Sequence, residues 1–181
     1  MEVYMIRHTS VDVPPGTCYG WTDVPTAETF EQEASMTKNN LEEMLQGKSF
    51  DKVFSSPLSR ASKLAAYCGY PHPRLDSRLK EMFMGDWEMQ LFDDIAKIDP
   101  HILKWYEDYM HLQTTNGESF PQLYARVADF LDELKKQPYE RVALFAHGGV
   151  LLCGGIYAGL FTADDVFSHQ VEYGGIQVIT L

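Results

Sequence analysis

Three short apolar runs, Val3-Tyr4-Met5-Ile6, Lys52-Val53-Phe54 and Val142-Ala143-Leu144-Phe145-Ala146, each pass directly into a polar cluster: Arg7-His8, Ser55-Ser56 and His147-Gly148-Gly149. Continuous apolar runs this short, rich in β-branched and aromatic residues, read as strands buried on both faces. Ile176-Gln177-Val178-Ile179 reads as a closing strand whose direction the sequence leaves open. Helical patterns separate the strands. Ser56-Pro57 places an N-cap ahead of a proline at the first helical position, followed by Leu58, Ala61, Leu64 and Ala65 at helical spacing. Ser119 and Gln122 form a capping-box pattern, and Phe120, Leu123, Val127, Phe130, Leu131 and Leu134 follow at intervals of three and four. Strands alternating with helices predict an α/β three-layer sandwich, a mainly parallel sheet with helices on both faces. No Pro/Gly/Ser-rich linker, low-complexity tract or repeat divides residues 1–181, so one domain is expected.

In such sheets ligands bind beyond the carboxyl ends of the strands. The side chains expected there are Arg7 and His8 after the first strand, Arg60 one turn into the helix after the second, and His147 after the third. The chain as a whole is acidic, with a formal charge of −11, so its long-range field repels nucleic acid and anionic membranes. Cationic groups gathered at one sheet edge of an acidic body fit a small anionic ligand instead. Val150 to Phe161, the longest uncharged apolar stretch, is too short for a bilayer span and contains three glycines, so it is expected to be a buried helix. Cys18, Cys68 and Cys153 have no CxxC spacing and are expected to be reduced apolar filler. Met1 to His8 carries neither a basic n-region nor a long h-region, and a cytoplasmic location is expected.

These residue types suit phosphoryl transfer. The transition state spreads negative charge over three equatorial oxygens, which the forks of Arg7 and Arg60 can bind while staying charged. The same two charges disfavour protonation of a nearby imidazole, so His8 is expected to be neutral, able to attack phosphorus and form an N-phosphoryl intermediate. His147 is expected to hold an equatorial oxygen. Helix N-termini after Ser56 and at Gly148-Gly149 are expected to add N–H donors. The leaving alkoxide needs a proton, and Glu81, within Leu79-Lys80-Glu81-Met82-Phe83-Met84-Gly85-Asp86-Trp87-Glu88, is the expected donor and later the base that activates water.

Taken together, Arg7-His8-Thr9, Ser55-Ser56-Pro57-Leu58-Ser59-Arg60-Ala61, Leu79 to Glu88, Gly117-Glu118-Ser119 and Ala146-His147-Gly148-Gly149 resemble, in order, the blocks of the histidine phosphatase, or phosphoglycerate mutase-like, superfamily. The resemblance implies His8 as the phosphohistidine, Arg7, Arg60 and His147 as phosphate ligands and Glu81 as proton donor, with no metal and no organic cofactor. Thr9 stands where that family usually has glycine, Ser10 where it has an acidic residue, and Pro14 where an asparagine is often found. The hydroxyls of Thr9 or Ser10 are candidates to replace the missing phosphate contacts. The run from Arg7 through Pro25 looks like the α-ribazole phosphatase branch, which implies a small phosphorylated metabolite of the cobalamin lower-ligand pathway as substrate. A mutase, a broad sugar-phosphate phosphatase and a non-catalytic phospho-ligand module are the alternatives. The last has no use for Glu81.

His72, His101, His111 and His169 lack such company and are expected at the surface or on helices; their spacing is not that of HExxH, which speaks against zinc. Trp105, Tyr106, Tyr109 and Met110 form an aromatic stripe in a helical stretch from Ile102, expected to be a core face or a lid that caps the pocket and helps choose the leaving group. Glu28, Glu31, Glu33, Glu42 and Glu43 are expected on a solvated helix face. Glu118 and Ser119 have two readings, helix cap or substrate contact.

Overall fold

The computed structural model describes residues 1–181. Five strands, β1 (Glu2–Arg7), β2 (Lys52–Ser55), β3 (Arg74–Leu75), β4 (Arg141–Ala146) and β5 (Ile176–Thr180), make one sheet in the order β3-β2-β4-β1-β5. The first four run parallel, and β5 pairs antiparallel with β1, which settles the direction left open for the closing strand. Six helices accompany them: α1 (Phe30–Leu45), α2 (Ser59–Tyr67), α3 (Phe92–Ile98), α4 (His101–Glu107), α5 (Phe120–Leu134) and α6 (Gly148–Tyr157).

The unbroken apolar strands are explained by burial on both faces. Successive side chains of a strand point to opposite sides, so Tyr4 and Ile6 of β1 join Ala143 and Phe145 of β4 against Phe30, Ala34 and Leu41 of α1 and Leu64 and Ala65 of α2. Val3 and Met5 join Val142 and Leu144 against Leu123, Val127 and Leu131 of α5 and Val150 and Leu151 of α6. This is the expected three-layer sandwich, with a mixed sheet. No helix is long and apolar enough to cross a membrane. The buried helix expected over Val150 to Phe161 runs instead from Gly148 to Tyr157, ended by Gly159 just beyond it at a φ of 72°.

Register then places the site. Arg7 lies opposite Ala146, and Ser55 opposite Phe145, so the residues following β1, β2 and β4 emerge side by side at one edge. One local expectation fails here. The helix after β2 starts at Ser59, not at Ser56-Pro57, and its N-cap position is Leu58 without a side-chain cap. The Ser56 hydroxyl is engaged elsewhere: it accepts the Leu58 N–H at 3.2 Å and meets His147 Nε2 at 2.8 Å. The stretch from Ile102 is helical only to Glu107, leaving Tyr109 and Met110 in the turn beyond α4.

Candidate active site

All five predicted site residues meet at this edge. Arg7, His8 and Glu81 line a cavity of about 260 Å³. His147 packs edge-on against His8 with ring centroids 5.1 Å apart. Arg60 is fully buried, and its charge acts on both imidazoles.

His8 is 2% exposed, and its Nδ1 lies 2.7 Å from the carbonyl oxygen of Thr9. A carbonyl only accepts, so Nδ1 carries the ring proton and Nε2 keeps its lone pair. Burial, then the nearby charge of Arg60 and, more weakly, of Arg7, hold the His8 pKa down to about 3, against a smaller opposing effect of the Thr9 hydrogen bond. The neutral imidazole expected from the arginines is therefore present, with desolvation as the larger cause. His147 is fully buried and is likewise held well below the usual imidazole range, first by burial and then by His8 and Arg60. With one acceptor position of Ser56 Oγ taken by Leu58 N–H, the serine proton can go to His147 Nε2. The neutral ring then carries its own proton on Nδ1, a buried atom with no partner in the protein.

The guanidinium groups are fixed by backbone carbonyls. Arg60 Nη2 donates to Gly20 at 2.6 Å and Nη1 to Thr22 at 3.0 Å, while Arg7 Nη1 donates to Val171 at 2.6 Å. The Nε of each arginine is buried without a partner. Two tyrosines absent from the sequence-based prediction complete the frame: Tyr173 lies 4.1 Å from the Arg7 guanidinium carbon, and Tyr19 lies 5.3 Å from that of Arg60. Their hydroxyls meet at 3.1 Å, 154 residues apart in sequence, and Tyr173 also lies 5.6 Å from the His8 ring. Burial and the bond to Tyr173 push the Tyr19 phenol up. Neither tyrosine sits at a strand end, and only the folded loops bring them over the arginines, so no spacing in the sequence signals them.

Glu81 reaches the cavity from the segment after the 3₁₀ turn at Ser77–Leu79. Its carboxylate accepts from Met82 N at 2.8 Å and Gly149 N at 3.1 Å, and its carbonyl accepts from Trp21 Nε1 and Arg126 Nη2. The first turn of α6 was expected to offer its N–H groups to phosphate; the Gly149 N–H instead goes to Glu81. This approach requires glycine, because a Cβ at position 149 would stand 2.3 Å from Glu81 Oε1. Gly20 is constrained in the same way, as its Cβ would stand 1.8 Å from the Met82 carbonyl oxygen.

The two readings of Glu118 and Ser119 resolve structurally. Ser119 closes a capping box with Gln122 at the start of α5, and Glu118 grips Arg126 through two bonds of 2.8 Å while accepting from Phe83 N. Glu88, which sequence reasoning left without a role, accepts the N–H groups of Gly20, Trp21 and Thr22 and so shapes the loop whose carbonyls hold Arg60. Burial alone would raise the Glu88 pKa, but the Thr22 hydroxyl and these N–H groups together hold it below the usual carboxylate value. Glu33 departs from its expected solvated role: its carboxylate accepts Ser10 N at 2.8 Å and thereby anchors the loop after His8. Thr9 is fully buried and its hydroxyl has no partner. His72, His101, His111 and His169 lie outside the cavity lining, and no three His, Cys, Asp or Glu side chains cluster as a metal-binding set.

Known proteins resemble this chain along most of its length. Residues 3–181 match the histidine phosphatase superfamily (branch 1). The adenosylcobalamin/alpha-ribazole phosphatase of Escherichia coli is 34% identical over 158 residues, covering 83% of this chain and 75% of that protein. Its counterpart in Salmonella typhimurium is 29% identical over 182 residues, covering 96% and 87%. Among solved structures, the alpha-ribazole phosphatase from Shigella flexneri superposes with a TM-score of 0.89 at 27% identity, covering 100% of this chain and 91% of that one.

Proposed function

The chain belongs to the histidine phosphatase superfamily and is a phosphatase, and we propose that it hydrolyses α-ribazole 5′-phosphate through a phosphohistidine formed on His8. The observation that supports the chemistry is the state of His8: neutral, with its proton tied to the Thr9 carbonyl and its Nε2 lone pair left free beside two arginines. In the first step Nε2 attacks phosphorus, the bond to the leaving oxygen breaks, and Glu81 in its acid form gives that oxygen a proton. In the second, Glu81 as carboxylate takes a proton from water as it attacks phosphorus, the N–P bond breaks, and neutral His8 returns. Arg7 and Arg60 hold the phosphoryl oxygens, and the free Nδ1–H of His147 donates to one of them. The hydroxyl of Thr9, which is buried without a partner, or that of Ser10 is our candidate for the phosphate contact missing where Pro14 stands in place of the family's asparagine.

The substrate assignment rests on the likeness to the Escherichia coli and Salmonella enzymes, whose names include α-ribazole. Three free, buried cysteines support a reducing compartment such as the cytoplasm. The test is phosphate release from α-ribazole 5′-phosphate, 3-phosphoglycerate and p-nitrophenyl phosphate, each with EDTA, for the native protein and His8→Ala. Selective release from the first, insensitive to EDTA and lost in the variant, is expected. Release from p-nitrophenyl phosphate alone would keep the chemistry and remove the substrate.

A further inference from the structure

The lining of the cavity has two chemically distinct parts. Arg7, His8, Thr17, Tyr19, Glu81 and Gln170 make it polar, and Met82, Met84, Phe92, Phe120, Phe167 and Trp105 make it apolar. Flat aromatic side chains and flexible methionines make a wall suited to a planar apolar ring, and one polar atom among them needs explaining. Trp105, on α4, packs edge-on against Trp87 with ring centroids 5.5 Å apart. The two indoles differ in one respect. Trp87 Nε1 donates to Asp99 Oδ2 at 2.7 Å, whereas Trp105 Nε1 is buried with no partner. A buried N–H without an acceptor is destabilising, and a tryptophan that merely filled space here would have no reason to beat phenylalanine.

We infer that this apolar part is the leaving-group subsite and that Trp105 is its specificity-determining residue, accepting a flat bicyclic aromatic ring that carries an unprotonated ring nitrogen as partner for the indole N–H. The inference deepens the proposed function and rests on it for the placement of phosphate at His8: an ester held there must send its leaving group along the cavity, and the benzimidazole base of α-ribazole is a ring of this class. An indole N–H can donate and cannot accept, so the subsite selects rings with an acceptor over rings of equal shape without one.

The experiment uses the whole protein and phenyl phosphate as the reporting ester, which has no ring acceptor. 1-Methylbenzimidazole and 1-methylindole are compared as competitive inhibitors; they share size and apolar surface, and only the first has a ring nitrogen acceptor. The native enzyme is expected to bind the benzimidazole about 5- to 10-fold more tightly. Trp105→Phe should abolish that difference by weakening the benzimidazole while the inhibition constant of 1-methylindole stays within about twofold, with the fold of the variant checked by circular dichroism and urea unfolding. Equal inhibition of the native enzyme by the two rings, competition by neither, or an undiminished preference in Trp105→Phe would overturn the inference. The native enzyme alone already decides the first two. Because neither inhibitor nor reporter is α-ribazole 5′-phosphate, ring discrimination in an enzyme that ignores that ester would remove the substrate assignment and leave the subsite standing.

Discussion

Burying two neutral imidazoles under arginines has a cost that should appear as acid sensitivity of folding. In the folded protein His8 binds a proton only near pH 3, while in the unfolded chain it does so near 6.5. Its folded pKa is depressed, so unfolding becomes progressively easier as pH falls below the unfolded value and until the folded value is reached. Between about pH 7.5 and about pH 5.5 the unfolded chain gains nearly one proton at this position that the folded chain refuses, worth about 1.4 kcal/mol. His8→Asn removes that titration and keeps a neutral polar side chain. Urea unfolding at the two pH values, for both proteins, isolates the effect from His147, which acts with the same sign in each, and from the carboxylates. The native protein should lose about 1.4 kcal/mol more stability than His8→Asn over this interval. Equal losses would mean that His8 titrates as an ordinary exposed imidazole, and the account of a neutral nucleophile would fail with it.

Three further outcomes follow from the contacts. Gly149→Ala puts a methyl group 2.3 Å from Glu81 Oε1 and should lower kcat by about 10²-fold through displacement of that carboxyl, with the fold retained in circular dichroism. Tyr19→Phe and Tyr173→Phe each break the same hydroxyl pair, so each should lower kcat/KM by about 3- to 10-fold and the double variant should fall close to either single one, as a double-mutant cycle would read. Ser119→Ala should cost about 1 kcal/mol in denaturant unfolding and leave kcat/KM unchanged, because the side chain caps α5.

Much of the site was legible because it is built at strand ends. Arg7, His8 and His147 follow unbroken apolar runs, and a parallel sheet aligns such ends by register, so sequence position alone carries them to one edge. Glu81 was legible through its aromatic and methionine neighbours and through the resemblance of its block, although nothing in its own neighbourhood fixes where a loop carboxylate points. The frame around these groups was hidden for a related reason. Tyr19, Tyr173, Glu88 and the Gly20 and Thr22 carbonyls act through loops whose meeting depends on tertiary packing, with no periodicity to announce it. Ser56 was misread because serine before proline is a strong capping signal, and the competing bond to a buried imidazole 91 residues away leaves no trace in the local sequence. Glu33 shows the same limit: on an amphipathic helix it looks like a solvated charge, and only the fold brings Ser10 N within 2.8 Å of it.

The central claim is that phosphate passes through His8, and it is tested most directly by trapping the intermediate. The native enzyme is mixed with saturating α-ribazole 5′-phosphate, quenched in alkali within one turnover, and digested for mass spectrometry, since N-phosphoryl bonds survive base. The account predicts one added phosphoryl group on the peptide containing His8, absent from His8→Asn. Phosphate on any other residue, or hydrolysis that persists in His8→Asn, would contradict it.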